Sequence, residues 1–164
     1  MALVGKTNVL THVFDLWERV FQEIGTKEFP GIRREYYHVD AACMHMVNEP
    51  QRFDVMVTTN MFGDIITDLG AITQGGMGMA ASGNIDPTRR NPSMFEPVHG
   101  SAPDIVGQNK ANPLATVITV KMLLDFLEEK QAATEVDKAI SAVAETNIEN
   151  KGTTAIGESI LNEL

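Results

Sequence analysis

A short apolar run, Phe53-Asp54-Val55-Met56-Val57-Thr58, turns at Thr59-Asn60 into a segment where Ile65, Ile66, Leu69 and Ile72 recur at helical spacing. A strand that feeds directly into a helix is the repeating step of an α/β fold. The same helix carries Asp64 and Asp68 at i and i+4, so both carboxylates project from one face. Like charges at that spacing repel. A bound cation removes the penalty, and Mg²⁺ or Mn²⁺ prefers oxygen ligands of this kind. No Lys or Arg lies between Arg52 and Arg89 to neutralise the pair locally. The competing reading is a solvated acidic face.

The rest of the chain alternates in the same way. Leu10, Val13, Phe14, Trp17, Val20, Phe21 and Ile24 mark an amphipathic helix that Gly25 is expected to stop. Arg34 to Val39 reads as a strand, and Ala41 to Asn48 as a helix ended before Pro50. Gly75, Gly76 and Gly78 form a composition break, which places a domain crossing near Gln74 and Gly75. Ala80 to Pro92 reads as a loop, with Arg89-Arg90 on its solvated surface. Pro113 suits the first turn of a long helix reaching Glu128. Helices over Thr134 to Glu145 and Thr153 to Leu164 complete the chain.

A second stretch, Glu96-Pro97-Val98-His99-Gly100-Ser101-Ala102-Pro103-Asp104-Ile105, has the chemistry of a dinucleotide loop. Small Gly100, Ser101 and Ala102 let a backbone turn approach a phosphate and offer it N–H groups. His99 can stack on an adenine or hydrogen-bond to it. Asp104, an acceptor-only carboxylate, suits a pair of ribose hydroxyls and repels a 2′-phosphate. Pro103 stiffens the turn. An ordinary surface loop uses the same residue types, and neither G-x-G-x-x-G nor the P-loop motif is present.

Composition narrows the classes. The net charge of −9 disfavours nucleic acid and anionic membrane surfaces as partners. At 43% hydrophobic, the 164 residues can bury a sizeable core. The single cysteine, Cys43, forms no internal disulfide, which fits a reducing cytoplasm.

Lys6-Thr7-Asn8-Val9-Leu10, Val39-Asp40-Ala41-Ala42, Phe53-Asp54-Val55, Phe62-Gly63-Asp64-Ile65-Ile66-Thr67-Asp68, Gly83-Asn84-Ile85-Asp86, Glu96 to Ile105 and Asn112-Pro113 occur in one order. In that order they resemble the isocitrate and isopropylmalate dehydrogenase family. The resemblance runs from Leu3 to the C-terminus and covers only the C-terminal half of such an enzyme. A Met-Ala start just before the lysine motif is what a truncated gene would give.

The resemblance implies an α/β fold of the isocitrate/isopropylmalate dehydrogenase kind, in parts of two α/β domains. Residues 1–74 would belong to the dimerisation and substrate domain, and 75–164 to the NAD-binding domain. It implies metal-dependent oxidative decarboxylation of a small 2-hydroxy acid with NAD and Mg²⁺ or Mn²⁺. The expected substrate is 3-isopropylmalate. Tartrate, malate or homoisocitrate are the alternatives, and a catalytically silent assembly fragment is another. Lys6 matches the catalytic lysine that moves the hydroxyl proton. Asp40, Asp64 and Asp68 match the metal ligands, and Asp40 is also catalytic. Asn8, Glu96, His99, Gly100, Ser101, Ala102, Asp104, Ile105 and Asn112 match the cofactor site. In this family Lys6 and Asp40 serve the partner subunit's active site, so a homodimer with shared sites is expected. The family's substrate-binding arginines and catalytic tyrosine lie upstream of the lysine motif.

Overall fold

The computed structural model describes residues 1–146, 148 and 151–164. The chain divides into two compact units, Met1–Thr73 and Gln74–Leu164.

The first unit is built on a parallel sheet. Strand β1 (Ala2–Gly5) lies between β2 (Glu35–His38) and β3 (Met56–Val57), and both pairings are parallel. Helix α1 (Thr11–Glu28) joins β1 to β2. Helix α2 (Val39–Asn48) leaves β2 without a break, and α3 (Asn60–Thr73) follows β3. Central parallel strands are buried on both faces, and Leu3 and Val4 are fully buried. Val4 packs with Ala42 and Met46 of α2 and Ile66 of α3. Phe14 of α1 stacks on Phe62 of α3, ring centroids 5.3 Å apart.

Two expectations are corrected here. Gly25 does not stop α1, which continues to Glu28. Its missing side chain makes room for Arg34, whose Nη1 donates to the carbonyls of Gly25 (2.8 Å), Phe29 (3.1 Å) and Ile32 (3.2 Å). Arg34 thereby satisfies the free carbonyls of the helix end, and the terminus moves past the glycine. The run Phe53–Thr58 pairs only at Met56–Val57, because Pro50–Arg52 forms a 3₁₀ turn and Phe53 turns into the α2 core. Helix α3 begins at Asn60, a full turn before the acidic pair.

The second unit opens with an antiparallel hairpin, β4 (Ala81–Asn84) and β5 (Met94–Pro97), where a loop was expected over Ala80–Pro92. Ala-Ser-Gly-Asn has no branched or aromatic residue to signal a strand. Its pairing is instead supported by Ser82 Oγ donating to the Glu96 carbonyl (2.9 Å) and by β5's Phe95 against Phe126. Arg89 is exposed, as expected, and is also anchored. Its Nη2 donates to the Phe126 carbonyl (2.5 Å) and Glu128 (3.1 Å), and its guanidinium lies over the Phe126 ring. Arg90 is exposed.

Helices α4 (Leu114–Phe126), α5 (Lys130–Ala144) and α6 (Thr153–Glu163) complete this unit. Pro113 sits at the N-cap of α4, which ends at Phe126, short of Glu128. Leu114, Ala139, Val143, Ile156 and Ile160 form the core among these helices. No helix among the described residues is long and apolar enough to cross a membrane.

Candidate active-site residues and the dinucleotide loop

In the first unit, chemistry gathers at the C-terminal ends of the parallel strands, where open α/β sheets hold their ligands. Lys6 follows β1 directly, and Asp40 stands in the first turn of α2 just beyond β2. The register that pairs Gly5 with His38 brings the two together. Lys6 Nζ lies 2.8 Å from Asp40 Oδ1. That hydrogen bond is the main force holding the Asp40 carboxyl below the usual carboxylate range. Lys6 is mostly covered, while Asp40 remains open to solvent.

The turn after Lys6 is fixed from β2. Tyr36 Oη accepts from the Thr7 N–H (3.0 Å) and donates to Thr7 Oγ1 (3.1 Å). The Lys6 carbonyl accepts from the N–H groups of Val9 and Leu10. Asn8 sits exposed in this turn. Sequence reading passed over Tyr36. It also passed over His38, whose Nδ1 is buried and has no hydrogen-bond partner among the described residues. The available signal was position alone, since His38 immediately precedes Val39-Asp40.

Asp64 and Asp68 lie on successive turns of α3, both exposed, and neither joins an ion pair among the described residues. Their four oxygens suit a hard divalent cation. Among the described residues, no group of three or more His, Cys, Asp or Glu could hold a metal. Within one chain, therefore, Asp40 does not join Asp64 and Asp68 in one cluster.

In the second unit, the 96–105 stretch divides in two. Glu96 belongs to β5 and is exposed. After Pro97 the chain leaves the strand. The His99 ring faces the Gly100 carbonyl at Nδ1 (3.0 Å), and Ala102 takes left-handed backbone (φ 42°). Pro103–Ile105 form a 3₁₀ turn, and Gln108 Nε2 donates to the Asp104 carbonyl (2.6 Å). A concavity of about 470 Å³ opens here. Its lining includes His99, Gly100, Ser101, Ala102 and Ile105. Sequence reading missed its other walls, Val106, Gly107, Asn109, Ala111, Thr153 and Thr154. Gly107 (φ 74°) and Asn109 (φ 54°) were legible as turn formers; the threonines, distant in sequence, were not.

Asp104 is exposed on the 3₁₀ turn and does not line the concavity, and neither does Glu96. Asn112 has a local task, its Oδ1 accepting from the Leu114 N–H (3.0 Å) at the start of α4. The small residues from Gly100 to Ala102 suit close approach by a phosphate-bearing ligand. A larger apolar concavity, about 600 Å³, runs along α1 past Leu16, Trp17, Val20, Phe21 and Ile24, and contains none of the expected site residues.

Residues 1–160 match the sequence model of the isocitrate/isopropylmalate dehydrogenase family. The chain belongs to this family. It is 53% identical over 163 residues to the 3-isopropylmalate dehydrogenase of Thermobifida fusca, covering 98% of this chain and 46% of that relative. It is 56% identical over 161 residues to the namesake from Mycobacterium marinum, covering 98% and 47%. Among solved structures it is similar to an isocitrate dehydrogenase from Methylococcus capsulatus, with a TM-score of 0.85 and 39% identity, covering 99% of this chain and 49% of that one. It is also similar to the TT0538 protein from Thermus thermophilus, with a TM-score of 0.87 and 34% identity, covering 99% and 34%. The fold is thus the α/β fold of this family, in its C-terminal portion. The chain spans about half the length of the curated relatives it matches.

Proposed function

We propose that this chain is the C-terminal half of a metal-dependent, NAD-linked dehydrogenase that oxidatively decarboxylates 3-isopropylmalate in leucine biosynthesis. The observation that carries this reading is identity above half, over nearly the whole chain, to relatives named 3-isopropylmalate dehydrogenase. Identity to the solved isocitrate dehydrogenase is lower, at 39%. The reaction belongs in the cytoplasm, on a homodimer whose sites are shared. The 1–74 segment serves dimerisation and substrate binding, and 75–164 serves NAD.

When bound, NAD⁺ supplies the hydride acceptor and Mg²⁺ or Mn²⁺ supplies Lewis acidity at the hydroxy acid. This chain's own residues do the rest. Asp64 and Asp68 hold the cation through carboxylate oxygens, and Asp40 is delivered from the second copy. Lys6 moves the proton of the substrate hydroxyl. Asp40, 2.8 Å from its Nζ, keeps the ammonium oriented, so lysine and aspartate reach a neighbouring site as one unit. His99, Gly100, Ser101, Ala102 and Ile105 would receive the adenine and phosphates, and the family resemblance alone adds Glu96, Asn112 and, for the nicotinamide, Asn8. Asp104, on the 3₁₀ turn beside the concavity, would accept from the ribose hydroxyls.

The test is NADH formation from 3-isopropylmalate with Mn²⁺. The chain alone is expected to be inactive, because remote substrate contacts supply several kcal/mol of orientation. Joined to the N-terminal half of the Thermobifida fusca relative, it should turn over 3-isopropylmalate faster than isocitrate or tartrate. A joined enzyme that prefers either of those would overturn the substrate, and activity of the chain alone would overturn the half-site reading.

A further inference from the structure

We propose that Asn109 is a positioning residue for the dinucleotide loop, locking residues 99–111 onto the start of α6. The inference rests on reading that loop as the cofactor site, and it assigns α6, otherwise without chemistry, a part in shaping it.

The geometry is an interlock from both sides. Asn109 Oδ1 accepts from the Thr154 N–H and from Thr154 Oγ1, each at 3.0 Å. The Asn109 carbonyl accepts from the Thr153 N–H (3.0 Å), and Thr153 Oγ1 donates to the Ala111 carbonyl (2.5 Å). The loop thus satisfies the free N–H groups of the first turn of α6, a task usually done by a residue of the helix's own N-cap. Gly152, which occupies that N-cap, offers no side chain for it. A Cβ at Gly152 would sit 3.0 Å from both Asn109 Cγ and the Asn109 carbonyl oxygen, so the glycine is required by the close approach of the loop. Asn109 adopts φ 54°, a conformation that asparagine tolerates better than most residues.

The consequence reaches the concavity. Asn109, Thr153 and Thr154 line the concavity together with His99, Gly100, Ser101 and Ala102. Both threonine hydroxyls already donate within the clamp, so they hold the loop rather than await a ligand. Exposed loops with few buried contacts open at low free energy. Fastening this one at Asn109 keeps the lining residues in place and lowers the ordering cost of binding.

Amide hydrogen exchange and NAD⁺ titration of the isotope-labelled full chain test this. Asn109→Gly keeps a residue suited to positive φ but removes the acceptor. It should raise exchange in 99–108 and weaken NAD⁺ binding, each by about tenfold, the upper range for loss of a side-chain cap. Asn109→Asp retains the acceptor and should behave as the native chain does. Gly152→Ala should act like Asn109→Gly, by pushing the loop away. Exchange in the cores of α4 and α5 should not change in any variant. Unaltered loop exchange in Asn109→Gly, or an equal loss in Asn109→Asp, overturns the clamp. Raised exchange in Asn109→Gly, with no loop amide shifted by NAD⁺ in the native chain, leaves the clamp standing and overturns the nucleotide assignment.

Discussion

Replacing Gly5 with alanine tests whether the approach of α1 to β1, one residue before Lys6, is as tight as the structure has it. A Cβ there would lie 2.6 Å from Phe14 Cδ1, 3.1 Å from Phe14 Cε1 and 3.0 Å from Tyr36 Oη, where ordinary contact begins near 3.4 Å. The Phe14 ring cannot simply turn aside, being 2% exposed and stacked on Phe62 at an interplanar angle of 6°. Overpacking of this kind costs about 1–3 kcal/mol. Alanine returns roughly 0.5–1 kcal/mol through lower unfolded-state entropy. The net loss lies between about 0 and 2.5 kcal/mol, centred near 1 kcal/mol.

Trp17, the only tryptophan, stands on α1 and reports the first unit by its emission. With a urea slope of about 1 kcal/mol/M for so small a unit, the midpoint should fall by about 1 M. Gly31→Ala, where an added Cβ meets nothing within 4 Å, is the control and should shift it little. Adding Phe14→Leu to Gly5→Ala should recover part of the loss relative to the sum of the singles, because the two share one contact. A midpoint that rises in Gly5→Ala, or strict additivity in the double variant, would refute the packing argument.

Three further outcomes are expected. In the joined enzyme, Asp64→Asn should weaken Mn²⁺ binding at least tenfold, about 1.4 kcal/mol, as calorimetry would read it; unchanged affinity would remove Asp64 from the ligand set. Asp104→Lys with Ile105→Tyr should move a native NAD preference of about 100-fold toward NADP, in steady-state kcat/KM with each cofactor; equal native efficiency with both would show that Asp104 does not face the ribose. The Asp86 carboxyl is pushed down to about 2, first by the Thr88 hydroxyl and then by the N–H groups of Thr88 and Asn91. Its folded pKa lies below the unfolded value near 3.8, so its contribution is complete above that pH and disappears as pH falls through about 2. Exchange at the Thr88 and Asn91 amides should therefore rise over that window, and Asp86→Ala should abolish the pH dependence.

The fold was legible where periodicity alone determines it. Leu10 to Ile24 repeat at helical spacing and α1 forms over them, although of that stripe only Phe14 is buried in this chain while Val13, Trp17, Val20 and Ile24 stay exposed. Elements held by their neighbours were not legible. The β4–β5 hairpin has a weak strand sequence and depends on Phe95 meeting Phe126. The end of α1 is set by Arg34, reaching back from beyond the helix to collect its carbonyls. Arg89 is solvated as read, but a sequence does not reveal that an arginine in left-handed backbone will also cap a helix far along the chain. For the candidate site, motifs supplied residue types, whereas Tyr36, Asn109 and Thr154 entered only through contacts between distant segments.

The Lys6–Asp40 pair shows why residue types and spacing alone would not have assigned a role to either. A single surface lysine or aspartate carries little information, and an exposed ion pair contributes little stability. Here the pairing follows from backbone register: β1 and β2 run parallel, Gly5 faces His38, and the next residues out are Lys6 and the first turn of α2. The same end of the sheet also presents the start of α3, with Asp64 one turn in. Lys6 and Asp40 thus follow β1 and β2, and Asp64 and Asp68 lie further along α3 after β3; Lys6 engages Asp40, while Asp64 and Asp68 join no ion pair among the described residues. The proposed shared site needs the acidic pair of α3 to meet the Lys6–Asp40 pair of a second copy. Brought together from two copies, they would place a cation between carboxylates and an oriented ammonium beside it, which is the arrangement the proposed chemistry requires.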